Sequence, residues 1–297
     1  MLTDEETSLG CLAYYKEEIQ RTGTREEWRN CVRNFRRGVL FGYSLKRKGF
    51  SAGSVLETGP GSGYFAAGLR FVFPGARITV MDINREVLDF NRERHGYETI
   101  EAVPDRVIDS LDGRYDLVIA RDILEHVSDI KKVLQNLHAC LAPGGLMHFT
   151  TPNGLEDAWK HYLAFRAGHS PSELLINHVS YFDGGGLRNL LGEVGFTPVQ
   201  YYTYGIKPWL RGNGWKFSAA LAANRPRGYI ADKYAKMEIG HRSPLPAATS
   251  PWPEEWYVRP GAPWITWLYS FLQHQPMIRM NPDRNRGHEF YGIFRKT

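Results

Sequence analysis

The sequence predicts an α/β fold in which a mostly parallel sheet carries helices on both faces. Apolar runs of strand length alternate with stretches of helix length from Ser54 to Tyr202, as in chains built from β-α-β units. A glycine-rich turn, residues 59–63, joins the first apolar strand to a helix, and the second apolar strand ends on Asp82. We therefore expect the functional site at the carboxyl ends of these strands, where ligands bind in such sheets.

The predicted elements follow in chain order. Residues 1 to about 50 are expected to be helical, because acidic pairs are interleaved there with apolar residues, before a basic stretch from Arg33 to Arg37. Asn84 is a suitable N-cap, and Gly195 is a suitable end for a helix that begins at Leu187. The remaining periodicity predicts strands at 54–58, 77–82, 98–103, 115–120, 145–150, 197–202 and 289–295, and helices at 63–73, 84–94 and 128–141.

The spacing of the glycines bears on which ligand the turn would hold. Glycine allows positive φ and close approach of a ligand to the main chain, while the first amides of the next helix point at that ligand. A dinucleotide fingerprint, G-x-G-x-x-G, would need its third glycine at Tyr64. The observed pattern is G-x-G-x-G preceded by an acid, Glu57.

This pattern, Glu57-x-Gly59-x-Gly61-x-Gly63, resembles motif I of the Rossmann-like S-adenosylmethionine-dependent methyltransferases. Three later stretches also resemble that family: the strand ending at Asp82, residues 115–127 with Leu124-Glu125-His126-Val127, and residues 141–153 with a Pro-Gly-Gly turn. The resemblance covers roughly residues 54–202, about half of the chain. It implies a doubly wound, seven-stranded, mostly parallel sheet and S-adenosyl-L-methionine as the cofactor.

The resemblance also assigns cofactor contacts. An acid about 20 residues after the glycine turn accepts the ribose hydroxyls in such folds, which assigns that role to Asp82. An acid after the third strand often meets the adenine amine in the family, which assigns Asp105. The full set of expected cofactor-binding residues is Glu57, Gly59, Pro60, Gly61, Gly63, Asp82, Ile83, Asp105 and Arg121.

The chain departs from the family after the sixth strand, because its candidate for the last strand comes only at the very end. We therefore predict three parts: an N-terminal helical cap at 1–50, a methyltransferase core at 51–205 and 288–297, and an insertion at 206–287. The insertion holds six of the eight tryptophans, and 12 Lys and Arg against 5 Asp and Glu. An aromatic and basic cap suits an anionic organic substrate; the alternatives are an extra packing layer or a dimer contact.

Two histidines at the predicted carboxyl edge are candidates for a general base, His126 after the fourth strand and His178 after the fifth. The alternatives are a capping or core histidine for His126 and a loop histidine for His178. On a helical turn, Asp122, Glu125 and His126 would share one face and could hold a divalent cation. The expectation is nevertheless a site without metal.

The predicted function is methyl transfer to O, or less favourably N, of a small anionic or aromatic metabolite. The alternative is a nucleic-acid or protein methyltransferase that uses the basic insertion, although no Asn/Asp-Pro-Pro-Tyr-like motif follows the fourth strand. Two other classes stay open: a protein that docks on membrane surfaces through Trp264–Leu272, and a cofactor-binding fold without transferase activity. The net charge of +5 and the pI near 9.0 are compatible with each of these functions.

Three scattered cysteines favour a reducing compartment over a disulfide framework. The acidic N-terminus predicts no secretory leader, and no apolar run reaches the ~20 residues of a membrane span. We therefore expect a cytoplasmic protein without a transmembrane segment, with a small-molecule substrate, no nucleic-acid partner and a homodimer as one possible assembly.

Overall fold

The computed structural model describes the core of the chain. The described residues are 25–102, 104, 111, 113–127, 129–154, 178, 180, 182–204, 279, 281–282 and 289–297. Most of the predicted insertion, the first 24 residues and Asp105 lie outside them. The predicted substrate cap therefore stays a prediction.

The described core contains one long N-terminal helix and then alternating strands and helices. The helices are α1 (Arg25–Arg47), α2 (Tyr64–Val72), α3 (Arg85–His95), α4 (Ile130–Cys140) and α5 (Gly184–Val194), with a 3-10 turn at Leu124–His126. The strands are β1 (Ser54–Thr58), β2 (Arg77–Asp82), β3 (Glu98–Glu101), β4 (Tyr115–Arg121), β5 (Leu141–Pro152), β6 (Phe196–Tyr204) and β7 (Glu289–Lys296).

These strands form one seven-stranded sheet in the order β3-β2-β1-β4-β5-β7-β6. The pairs among β1 to β5 are parallel, and β7 runs antiparallel to both β5 and β6. The order reverses between β1 and β4, which opens a crevice at their carboxyl ends. The predicted fold class, a doubly wound and mostly parallel sheet with a distant last strand, is confirmed.

Alternating side chains in the central strands separate the core into two layers. Val55 of β1 and Leu117 of β4 pack on the side of α1 and α2, whereas Leu56 and Val118 pack on the side of α4 and α5. All four side chains are fully buried. Burial on both faces explains why these strands read as continuous apolar runs.

Helix α1 crosses α2 at two glycines. A Cβ on Gly38 would lie 2.0 Å from the Phe65 carbonyl oxygen, and one on Gly68 would lie 2.1 Å from the Phe35 carbonyl oxygen. Only glycine permits this approach. The crossing holds α1 against the helix that begins at the glycine turn, so the described part of the predicted N-terminal cap is helical and packs beside the site.

Local signals set most element ends as predicted. The Asn84 side chain accepts a hydrogen bond from the Glu86 N–H at 2.9 Å, and Gly195 ends α5 at φ 101°. The Pro-Gly-Gly segment differs from expectation: β5 already begins at Leu141, and the segment forms an irregularity within the strand, where the β4–β5 register shifts between Tyr115 and Leu117.

Candidate functional site

The glycine turn lies at the carboxyl end of β1 and has the backbone conformation that only glycine adopts readily. Gly59, Gly61 and Gly63 have φ values of 60°, 53° and 72°. The Gly59 N–H donates to the Met81 carbonyl at 2.8 Å, and the Gly63 N–H donates to the Pro60 carbonyl at 2.9 Å. These bonds hold the turn between the ends of β1 and β2, and Gly63 leads directly into α2.

Three side chains, two from α3 and one from the residue before β3, hold successive carbonyls of this turn. Asn91 Nδ2 donates to the Gly61 carbonyl at 2.8 Å, and the Tyr97 hydroxyl donates to the Gly63 carbonyl at 3.2 Å. Between them, His95 Nε2 lies 2.9 Å from the Ser62 carbonyl. Burial lowers the pKa of His95 to about 4, so its ring is neutral and Nε2 is the donor. These three residues are not among the predicted site residues, although the spacing of residues 91 and 95 places both on one helix face.

Two buried carboxyl groups flank the turn. Glu57 is 2% exposed and Asp82 is 5% exposed, and each has one buried oxygen, Oε2 and Oδ2, without a hydrogen-bond partner. The other Asp82 oxygen, Oδ1, accepts from the Asn84 N–H at 2.8 Å. Burial raises the pKa of Asp82 to about 6, against the opposing effect of the Asn84 and Ile83 amides. Such unpartnered acceptors are costly unless a ligand satisfies them.

Glu57 is matched by a nearby arginine. Burial raises the pKa of Glu57 to about 7, while the Arg121 charge and the Ala66 N–H oppose that rise. The Arg121 guanidinium lies 4.2 Å from the Phe65 ring centroid, and its Nη2 is 3.5 Å from Asn34 Oδ1 on α1. Arg121 therefore connects β4, α1 and α2 beside the glycine turn.

The two predicted histidines lie together, beyond the carboxyl end of β4. The His126 and His178 rings have centroids 4.8 Å apart and meet edge to face. Both neighbour buried Glu125, whose Oε2 accepts from Thr151 Oγ1 at 2.9 Å and whose carbonyl accepts from the Ser180 N–H at 3.0 Å. The fold thus brings together two residues that are 52 positions apart in the sequence.

The predicted set of Asp122, Glu125 and His126 does not share one helix face in the structure. Asp122 lies before the 3-10 turn at φ 53°, and its Oδ1 accepts from Thr150 Oγ1 at 2.9 Å. In the described part of the chain, the donor set that could hold a metal ion is Glu125, His126 and His178, with ligand atoms within 4.8 Å of one another. Two imidazoles and one carboxylate suit a transition metal better than magnesium.

The nine predicted cofactor contacts fall into one place wherever the structure describes them. The glycine turn, Glu57, Asp82 and Ile83 surround the ends of β1 and β2, and Arg121 lies at the end of neighbouring β4. Asp105 lies outside the described residues.

A methyltransferase-domain family model matches residues 26–201 of the chain. The chain belongs to this family. It is a member of the Rossmann-like, class I type whose cofactor is S-adenosylmethionine, and the predicted resemblance to this family is confirmed. The residues present fit that cofactor, because unpartnered buried carboxylate oxygens lie next to a positive-φ glycine turn.

Curated relatives of this methyltransferase domain include O-methyltransferases. A ubiquinone biosynthesis O-methyltransferase of Pectobacterium atrosepticum is 34% identical over 128 residues, which are 41% of this chain and 52% of the relative. A malonyl-[acyl-carrier protein] O-methyltransferase of Bacillus anthracis is 24% identical over 127 residues, 42% of this chain and 47% of the relative. The chain spans about half the length of these relatives.

The fold is also that of solved methyltransferases. The crystal structure of a candidate sarcosine dimethylglycine methyltransferase from Galdieria sulphuraria is 16% identical, with a TM-score of 0.50 over 88% of this chain and 86% of that one. No helix among the described residues is both long and apolar enough to cross a membrane.

Proposed function

We propose that this protein transfers a methyl group from S-adenosylmethionine to an oxygen atom of a small, anionic or aromatic acceptor. The observation that carries the proposal is the pair of buried carboxyl groups, Glu57 and Asp82, which keep unpartnered oxygens beside the glycine turn. The O-methyltransferases among the curated relatives support oxygen as the accepting atom.

The cofactor-binding roles follow from these groups. We assign Asp82 Oδ2 the ribose hydroxyls and Glu57 a positively charged amine, because both carboxyl groups are buried with one unpartnered oxygen each. The positive-φ glycines let a ligand approach the backbone between them. When bound, S-adenosylmethionine supplies an electrophilic methyl group on a sulfonium.

The acceptor would lie across β4 from the ribose acid. In the sheet order, β1 and β2 carry Glu57 and Asp82, while β4, β5, β7 and β6 extend in the opposite direction. His126 follows β4 closely along the chain, and its ring contacts that of His178. We assign one of these imidazoles the removal of the acceptor hydroxyl proton, because histidine is the commonest general base, and an in-line approach to the methyl group needs a held acceptor oxygen.

A cluster of charged groups lies where α1 meets the end of β4 and the start of β7. Arg33, Arg37 and Arg121 interact electrostatically there, and two carboxyl groups, Asp122 and Glu289, lie among them. The pKa of Arg37 is lowered by burial and then by Arg121, while the pKa of Glu289 is raised by burial and then by Asp122. Glu57 also interacts with Arg121, so the cluster holds three guanidinium groups and three carboxyl groups. Burial raises the pKa of Glu57 and of Glu289 to about 7, so these two carboxyl groups hold their protons more tightly than usual, which favours an anionic acceptor.

A direct assay tests the proposal. The purified protein is incubated with S-adenosylmethionine and a panel of phenolic and hydroxylated carboxylic acids, and S-adenosylhomocysteine formation is followed. Turnover that hardly changes with salt supports a small acceptor. Activity on RNA or protein alone, with a steep salt dependence, would replace the proposal with the nucleic-acid or protein alternative.

A further inference from the structure

A second unpartnered polar group lies at the turn between β2 and α3. Asn84 is 2% exposed, and its Nδ2 is buried without a hydrogen-bond partner. The neighbouring unpartnered atom is Asp82 Oδ2. The turn therefore holds one buried donor and one buried acceptor that do not bond to each other.

The orientation of the Asn84 amide is fixed by its capping role. Its Oδ1 accepts from the Glu86 N–H at 2.9 Å, so the oxygen must face the first turn of α3. The nitrogen is then directed away from that helix. An amide flip would place an N–H group against the Glu86 N–H and lose the cap.

The backbone of the turn also ties Asn84 to Asp82. The Asn84 N–H donates to Asp82 Oδ1 at 2.8 Å, which fixes the carboxyl group and leaves Oδ2 for another donor. The peptide after this pair continues into α3, whose other end holds the glycine turn through Asn91 and His95. One short segment thus presents both unpartnered atoms from a fixed backbone.

An unpartnered buried donor costs as much as an unpartnered buried acceptor. A hydrophobic ligand would leave both unsatisfied, and a phosphate would repel Asp82. A hydroxyl group satisfies both kinds of atom, because it donates one hydrogen and accepts another. Two adjacent hydroxyls, as on a ribose, match the donor and the acceptor together.

We propose that Asn84 is a cofactor-specificity residue that donates its Nδ2–H to a ribose hydroxyl oxygen, while Asp82 accepts from the ribose diol. The inference rests on the proposed function for the identity of the cofactor, and it adds a donor to a site for which sequence reasoning gave only an acceptor. Asn84 thereby discriminates a ribose that carries the contacted hydroxyl from the deoxyribose that lacks it.

The test compares Asn84→Ser with the wild-type protein in the full chain. Serine is as good an N-cap as asparagine, so the variant keeps the helix cap, and its shorter hydroxyl does not reach the position of the Asn84 Nδ2–H group. Calorimetric titration with S-adenosylhomocysteine is expected to show roughly three- to tenfold weaker binding, the effect of one neutral hydrogen bond. Asp89→Asn, at an exposed position on α3, is the matched control and should bind as the wild type does.

Competition of adenosine, 2′-deoxyadenosine and 3′-deoxyadenosine with bound S-adenosylhomocysteine then distinguishes a direct contact between Asn84 and the ribose from a structural role of Asn84. The wild type should prefer adenosine over the analogue that lacks the contacted hydroxyl, and Asn84→Ser should lose the part of that preference that does not come from Asp82. Equal affinities of variant and wild type for S-adenosylhomocysteine would overturn the inference. So would a loss in the variant that is the same for all three nucleosides, because it would show a merely structural role.

The result also separates this inference from the proposed function. If the folded wild type binds neither S-adenosylmethionine nor S-adenosylhomocysteine, the cofactor assignment itself fails and the inference falls with it. If the wild type binds both and the Asn84 variants keep full discrimination, only the role of Asn84 is overturned. Asn84→Asp, which also caps the helix but presents no N–H, repeats the comparison if the serine variant is unstable.

Discussion

Asn91 occupies the space that a side chain at Gly63 would need: a Cβ on Gly63 would lie 1.9 Å from Asn91 Oδ1. The same amide holds the Gly61 carbonyl through Nδ2. Asn91 can hold the turn in this way only if residue 63 is a glycine. These two contacts give the first prediction.

Gly63→Ala is expected to abolish measurable S-adenosylmethionine binding and to destabilise the protein. At φ 72° an alanine costs about 1–2 kcal/mol, and the contact with Asn91 adds to it. Gly49→Ala is the matched control, because Gly49 has φ 76° but no atom within 4 Å of the added Cβ. Calorimetry and urea unfolding of both variants measure the difference. Normal binding by Gly63→Ala would contradict the placement of the turn.

Asp82→Ala should weaken S-adenosylmethionine binding by about 1.5–3 kcal/mol, as expected for a lost charged hydrogen-bond partner. The loss should be measured by titration at a pH above 7, since the pKa of Asp82 in the free protein is raised to about 6. Asp89→Ala, on the exposed face of α3, should leave the affinity unchanged. An unchanged affinity in Asp82→Ala would remove the ribose assignment.

Glu57 should make the stability of the free protein depend on pH. Its pKa is raised from 4.5 to about 7 in the folded state, so the folded protein keeps a proton that the unfolded chain has lost over this range. The stabilisation from this group is complete below pH 4.5 and is lost as the pH rises to about 7, a change of about 3 kcal/mol.

Urea unfolding of the wild type and Glu57→Gln across this pH range measures that contribution. The free energy of unfolding of the wild type should fall relative to that of the variant as the pH rises. Saturating S-adenosylmethionine should reduce the difference, because the ligand supplies a partner to the ionised carboxylate. Parallel pH profiles would show that Glu57 titrates as an ordinary glutamate.

The histidine pair should affect turnover and not cofactor affinity. Replacing the histidine that removes the acceptor proton, by His126→Ala or His178→Ala, should lower kcat by about 10²–10⁴-fold and leave the Kd for S-adenosylmethionine unchanged. Because the rings touch, the double variant should lose less than the product of the single effects. His138→Ala is the control, since His138 packs on Phe196 at the opposite edge of the sheet. Full activity in both single variants would refute this role.

Local sequence signals were enough to predict the fold and to predict that the glycine turn, Glu57 and Asp82 lie together at the ends of β1 and β2. Residues 77–82 form a strand that is buried from its second residue onward, because Ile78, Val80 and Met81 are apolar and Thr79 is the one polar residue between the first residue and the terminal acid. Asn84 caps the beginning of α3 and Gly195 caps the end of α5, each through interactions within a few residues. These interactions are readable from one sequence because donor and acceptor are close along the chain.

Contacts between distant segments could not be read in this way. Helical spacing placed Asp122 with Glu125 and His126, but the chain at Asp122 takes positive φ and its carboxylate turns to Thr150. Glu289 and Tyr204 meet because β6 and β7 pair there, 85 residues apart in sequence. An antiparallel strand enters the sheet at the carboxyl edge, so the first residue of β7 is the one that reaches this region. That rule would have predicted that Glu289 lies at the carboxyl edge of the sheet, near Asp122.

The most direct test of the account is calorimetric titration of the purified protein with S-adenosylmethionine and S-adenosylhomocysteine, with NAD as a control ligand and with and without a chelator. The account predicts micromolar binding of the first two, no binding of NAD, and affinities that do not depend on the chelator. Absence of binding by protein shown to be folded, or binding of NAD instead, would contradict the assignment of the glycine turn and its two carboxyl groups to S-adenosylmethionine.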